Sequence, residues 1–156
     1  THSSKQFLSF LLAGEEYAVD ILKVQGIRDW SAPTLVPNSP KYIDGVLNLR
    51  GEIIPVINLR ERFGIAQEIL KNPIVIVLNI FDGAKNRLMG LLVDAFRETY
   101  DVQLTDIISA PQGVSVIDDE FIIGLTTIEK NMIILLDAEI LLNSAELAKQ
   151  NNEVVA

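Results

Sequence analysis

At 156 residues, 49% hydrophobic and 22% charged, the chain has the composition of a folded domain with a real core rather than a disordered segment. A net charge of −8 argues against a surface that neutralises phosphates, whether of nucleic acid or of an anionic membrane. That charge leaves protein or a small molecule as the partner class, and without cysteine there is no disulfide framework, thiolate nucleophile or thiolate metal site.

In chain order, short strands dominate. Gln6–Leu12 reads as a strand, "AGEE" as a turn and Tyr17–Asp20 as a second strand. A brief helical turn over Ile21–Val24 and a strand from Gln25 follow. Pro33 to Pro40 holds three prolines and is a loop. In "GVLNLRGEIIPVINLRERFG" two β-forming runs, Val46–Leu49 and Ile53–Ile57, flank Arg50-Gly51. That is the signal of a hairpin in which Gly51 takes a positive φ. Pro55 cannot donate to a ladder, so it marks an edge or a bulge. "INLRERFG" then makes one or two helical turns closed by Gly64.

The second half repeats this order. Ile74–Phe81, a turn at Asp82-Gly83 and Leu88–Val93 form another strand pair. "YAVDILKVQGI" can be laid on "MGLLVDAFRETYDV", and "GVLNLRGEIIPVINL" on "GLTTIEKNMIILLDA". Asp20 and Asp94 fall at equivalent places and are expected to accept turn N–H bonds. The repeat predicts two small antiparallel β lobes, intertwined or packed face to face. In "NSAELAKQNNE", Asn143 with Glu146 three residues on has the pattern of a capping box opening a short C-terminal helix. Residues 1–5 and 150–156 are expected to be poorly ordered. The longest apolar runs, such as Met132–Leu136, are far too short to span a bilayer, and no secretory signal is read in "THSSKQ".

Candidate chemistry is sparse. The one histidine is His2, so no Ser-His-Asp arrangement and no zinc set can be assembled. Glu15-Glu16 and Asp118-Asp119-Glu120 could be acid/base pairs or part of a calcium loop, but calcium-loop spacing is absent and both groups read as solvated turns. No phosphate-cradling glycine motif occurs. Trp30 is read as covering a lobe. No cofactor and no metal are expected.

Three segments carry a resemblance: "EEYAVDILKVQGI", "LVPNSPKYIDGVLNLRGEIIPVINLRERFG" and "MGLLVDAF". Together they resemble the bacterial chemotaxis coupling proteins of the CheW family, in order from about Phe7 to about Leu147. The resemblance implies two intertwined SH3-like five-stranded β-barrels around a shared core, in a single domain spanning residues 1–156. It implies no catalytic activity and a cytoplasmic place in membrane receptor arrays, reached through partners and without membrane insertion. The partners implied are the regulatory domain of the histidine kinase CheA and the hairpin tip of transmembrane chemoreceptors. Val24, Gly45, Arg50 and Gly90 are implied to line the receptor groove. Ile21, Gln25 and Gly26, at the edge of the first lobe, are implied to face the kinase. Gly26 departs from the family, in which a glutamate is common there. Two alternatives stand beside this reading: a CheW-like domain of a larger, CheV-type adaptor, and a small β-barrel hydrolase using paired carboxylates.

Overall fold

The computed structural model describes residues 3–30, 43–65, 73–81, 83–113 and 119–143. Among the described residues there are ten strands: β1 Ser4–Leu12, β2 Glu15–Asp20, β3 Val24–Asp29, β4 Ile43–Leu49, β5 Glu52–Asn58, β6 Ile74–Phe81, β7 Asn86–Val93, β8 Ala95–Gln103, β9 Ile122–Ile128 and β10 Asn131–Leu136. A helix over Leu59–Arg62 (α1) follows β5, and the helical residues 138–143 (α2) follow β10.

The strands form two curled five-stranded sheets, in the orders β8-β1-β2-β10-β9 and β3-β6-β7-β5-β4. These are the β1 lobe and the β6 lobe. Replacing β1–β5 by β6–β10 converts one order into the other, so the repeat in the sequence is a repeat of topology. The lobes are intertwined. β3 leaves the half of the chain that contains β1 and β2 and joins the sheet of β6 and β7, and β8 makes the reverse crossing.

The inner strands, such as β2, β6 and β7, are buried on both faces, which accounts for near-continuous runs such as "IVIVLNI", whereas the edge strands β3 and β8 are mostly exposed. One face of each sheet meets the other lobe in a shared core. There Leu8, Phe10 and Leu12 of β1 meet Ile76, Leu78 and Ile80 of β6 and Met89 and Leu91 of β7. The opposite faces fill each lobe: Phe7, Ala18, Val102, Ile133 and Leu135 in the β1 lobe, and Ile54, Val56, Val75, Val77 and Leu92 in the β6 lobe. Burying each of these large side chains stabilises the fold by about 1.5–3 kcal/mol before chain entropy is charged. Trp30 packs against the β6-lobe interior, as expected of a covering side chain.

β-Bulges curl the sheets. The register slips at Gln25 between β3 and β6 and at Asp44 between β4 and β5, with matching slips between β1 and β8 and between β9 and β10. Pro55 is not on an edge strand. β5 lies between β4 and β7, and Pro55 stands one residue before the parallel ladder with β7 begins at Val56, so its strand is flanked on one side only at that point.

Each crossing between sheets is tied down by the helix that ends a lobe. Asp94, at the β7–β8 corner, accepts from Arg60 Nε at 2.8 Å and Nη2 at 2.6 Å, and also from the Ala13 N–H at 2.9 Å. The side chains of Arg60 and Asp94 are 5% and 15% exposed. The same helix sets Phe63 against Phe121 of the other lobe, with ring centroids 6.3 Å apart. At the β2–β3 crossing, Glu139 of α2 accepts from Lys23 Nζ at 3.0 Å and from the Phe81 N–H at 2.9 Å. The side chains of Lys23 and Glu139 are 36% and 30% exposed. Asp20 accepts the Leu22 N–H at 2.9 Å. Both corner aspartates therefore do what the repeat predicts, and Asp94 holds a buried arginine besides.

Asn58 caps α1 by accepting the Glu61 N–H, and Gly64, at φ +70°, closes it: Gly64 donates to the Glu61 carbonyl and Ile65 to that of Arg60. The C-terminal helix opens earlier than the capping pattern suggests. Asp137 is its N-cap, accepting the Ile140 N–H at 3.1 Å. Asn143 lies within that helix and bonds the Phe81 carbonyl and Arg87, so it is not the cap. Glu15 and Glu16 are not a solvated turn either. The turn is Ala13-Gly14, and the glutamates begin β2. Tyr17 donates to Glu15 at 2.7 Å, and Tyr100 to the buried Glu16 at 3.0 Å. Asp119 and Glu120 are exposed in a 3-10 turn, while His2, Pro33–Pro40, Asp82, Asp118 and Glu146 lie outside the described residues.

Candidate interaction surface

The β4–β5 hairpin has a two-residue turn with Leu49 opposite Glu52. Arg50 takes φ +53° and Gly51 φ +86°, the pair of positive values that a type I′ turn demands. The Asn48 side chain accepts the Gly51 N–H at 3.0 Å and stiffens the tip. The guanidinium thus stands on a rigid, exposed turn, suited to forked hydrogen bonding. A left-handed backbone does not by itself single Arg50 out, because Ala13 and Glu129 open their own hairpin turns at φ +52° and +50°.

Arg50 lines an open cleft of about 320 Å³ with Gln25, Arg28, Leu49, Glu52 and Leu88. Leu49 and Leu88 also pack on the β6-lobe interior, so the cleft is the mouth of that lobe. Gln25 comes to this mouth because it is the bulged residue of β3; a bulge re-aims a side chain. A residue expected on the kinase side and one expected on the receptor side therefore share one cleft. Arg28 is a cationic lining residue that sequence reasoning missed; strand alternation from the bulge was the available signal.

The remaining candidates are placed differently. Ile21, in the 3-10 turn Ile21–Lys23, and Val24, which opens β3, are partly buried against the shared core. Gly26, Val77, Gly90, Val56 and Gly45 stand in register across five strands, glycine alternating with valine around the whole β6 lobe. Small and large residues alternating at one level let a curled sheet close. At Gly90 the spacing is tight, since a Cβ there would lie 2.7 Å from Val75 Cγ1 and 3.0 Å from Val56 Cγ2. Gly90 is thus buried in lobe packing. A Cβ at Gly26 meets nothing within 4 Å, so a side chain has room there.

Two curled β lobes interlocked by exchanged strands, with exposed cationic and apolar groups around a rigid hairpin, define a small two-lobed scaffold suited to protein contacts. A family model described as the CheW-like domain matches residues 6–146, and the chain belongs to that family. It is 39% identical to the chemotaxis protein CheW of Klebsiella aerogenes over 95% of this chain and 87% of that one. It is 33% identical to CheW of Rhizobium meliloti over 94% and 92%. Among solved structures, the scaffolding protein TtCheW of Thermoanaerobacter tengcongensis superposes with a TM-score of 0.79 at 33% identity, covering 90% of this chain and 89% of that one. Proteins of this family are non-catalytic adaptors, which sets the hydrolase reading aside.

Proposed function

We propose that this chemotaxis adaptor couples transmembrane chemoreceptors to the histidine kinase CheA in a cytoplasmic array. The receptor's helical hairpin tip is gripped at the Arg50 hairpin and beside Val24. The regulatory domain of the kinase is met along Ile21, Gln25 and Gly26. Gly45 and Gly90 serve this surface through the shape they allow the β6 lobe rather than by direct contact. The observation that carries the reading is the shared cleft, in which a rigid hairpin arginine and a bulged Gln25 stand side by side. Through it the two partners can influence each other with small shifts of one lobe. Among the described residues no helix is long and apolar enough to cross a membrane, in keeping with attachment through partners. Within a larger, CheV-type adaptor the same domain would offer the same cleft.

The test is to titrate the chain separately with a receptor cytoplasmic hairpin and with the kinase regulatory domain, then to repeat both with Arg50→Ala. Binding to both is expected, with receptor affinity alone falling about tenfold in the variant, as for an arginine anchor. Binding to neither partner would overturn the coupling reading. Binding to both with an unchanged variant would remove Arg50 from the contact.

A further inference from the structure

The first crossing carries the residues assigned to the kinase side, and its restraints differ from those of the second. Residues 21–23 form a single 3-10 turn held at both ends. At its start Asp20 accepts the Leu22 N–H and pairs with Lys5 at 3.3 Å. At its end Lys23 meets Glu139, which α2 holds in place through the Phe81 N–H. Between these two ties stands Leu22, 80% exposed, the most exposed large apolar side chain among the described residues. Ile123, 49% exposed, lines the cleft that Lys5, Asp20, Lys23 and Glu139 share. A bare leucine in water gains nothing for folding, and a turn held from both sides fixes where it points.

We propose that the Lys23–Glu139 pair is a latch that positions residues 21–26 for the kinase-side contact, with Glu139 the positioning residue and Leu22 the apolar side chain it presents. This rests on the coupling reading above for the identity of the partner, but not for the latch itself. Glu139 never touches the partner in this scheme. It acts through Lys23, and its other oxygen anchors it to the β6–β7 hairpin. The pair is single-contact and partly wet, so it holds the turn without locking it.

Three single variants and one double variant test it. Glu139→Gln keeps an acceptor for the Phe81 N–H while removing the charge, Lys23→Met removes the other end, and Lys23→Arg preserves the pair. Hydrogen exchange on the whole chain should show the amides of residues 22–26 opening about three-fold faster in the first two variants, with those of β1 and β6 unchanged. Affinity for the kinase regulatory domain should fall by a similar factor while receptor affinity holds. The double variant Lys23→Met/Glu139→Gln should be no worse than either alone, and Lys23→Arg should behave as wild type. Unchanged exchange at 22–26, or effects that add in the double variant, would overturn the latch. Failure of the wild type to bind the kinase domain would overturn the coupling reading instead, while the exchange rates still decide the latch.

Discussion

Arg60 grips Asp94 through two hydrogen bonds with both side chains nearly dry, whereas Lys23 meets Glu139 through one, with about a third of each side chain in water. Arg60 and Glu139 stand on the matching helices of the repeat, while Lys23 lies just after Asp20, the counterpart of Asp94; each pair joins one of these helices to a crossing between lobes. In both, the carboxylate also accepts a hairpin N–H, from Ala13 or from Phe81. Their polarity is reversed, since the helix supplies the cation in one and the anion in the other. A duplicated fold has thus kept the geometry of its two ties and let their strengths diverge. The stronger tie secures the corner that bears none of the candidate contact residues, and the weaker one holds the corner that bears Ile21, Val24, Gln25 and Gly26.

Removing the dry tie should have the largest effect. Arg60→Ala leaves Asp94 partly buried without its cation, and breaking such a pair from one side costs about 3 kcal/mol. Denaturant unfolding should show that loss. An equal cost for Lys23→Met would erase the distinction between the two crossings, because a half-wet pair is worth at most about 1 kcal/mol.

That distinction is also where sequence reasoning stopped. The succession of short strands along the chain, the repeat and the equivalence of Asp20 and Asp94 are legible, because alternation, turn residues and short-range order all act locally, whereas the order of strands within each sheet is not. Nor is the partner of Asp94. Arg60 lies in another strand-and-helix unit, and nothing local to "LRER" announces a carboxylate contributed from the far side of a crossing. The same holds for Gly90, which the resemblance assigned to a groove. Its contacts with Val75 and Val56 come from two other strands, so long-range register alone reveals it as interior. Glu16 reads as solvated because its neighbours form a turn motif, yet a tyrosine from β8, 84 residues away in sequence, covers it. The exposure of Arg50 is legible because a two-residue turn fixes it without distant help.

The lobes also close their interiors differently, and pH should separate them. The β6 lobe is capped by the indole of Trp30, which does not titrate, and the β1 lobe by the Tyr100 hydroxyl bonded to Glu16. Burial, followed by the Glu16 hydrogen bond and charge, pushes the Tyr100 pKa up to about 12. A raised folded-state pKa stabilises fully below the ordinary tyrosine value near 10 and is lost as pH climbs through about 12. Wild type should therefore lose about 1 kcal/mol across that window, after discounting for partial exposure, and Tyr100→Phe should lack that slope. Tyrosinate absorbance and unfolding free energy measured together check it, and a variant with the wild-type slope would assign the alkaline loss to other groups.

The smallest expected effect concerns the hairpin tips, where the two lobes are most nearly alike. Arg50 and Glu129 both hold a left-handed backbone that costs an L-residue about 1 kcal/mol, and asparagine adopts it more readily than either. Arg50→Asn and Glu129→Asn should each stabilise the fold by about 0.5 kcal/mol, read as a slightly higher denaturant midpoint at constant m-value. A structural turn residue would end there, with stability raised and binding untouched, and that is the outcome expected at Glu129. At Arg50 the same gain should come with weakened receptor binding. A side chain kept at a position its backbone disfavours is then being kept for the partner it meets. Equal gains with no binding change at either tip would make the two hairpins equivalent and return Arg50 to the status of a surface turn.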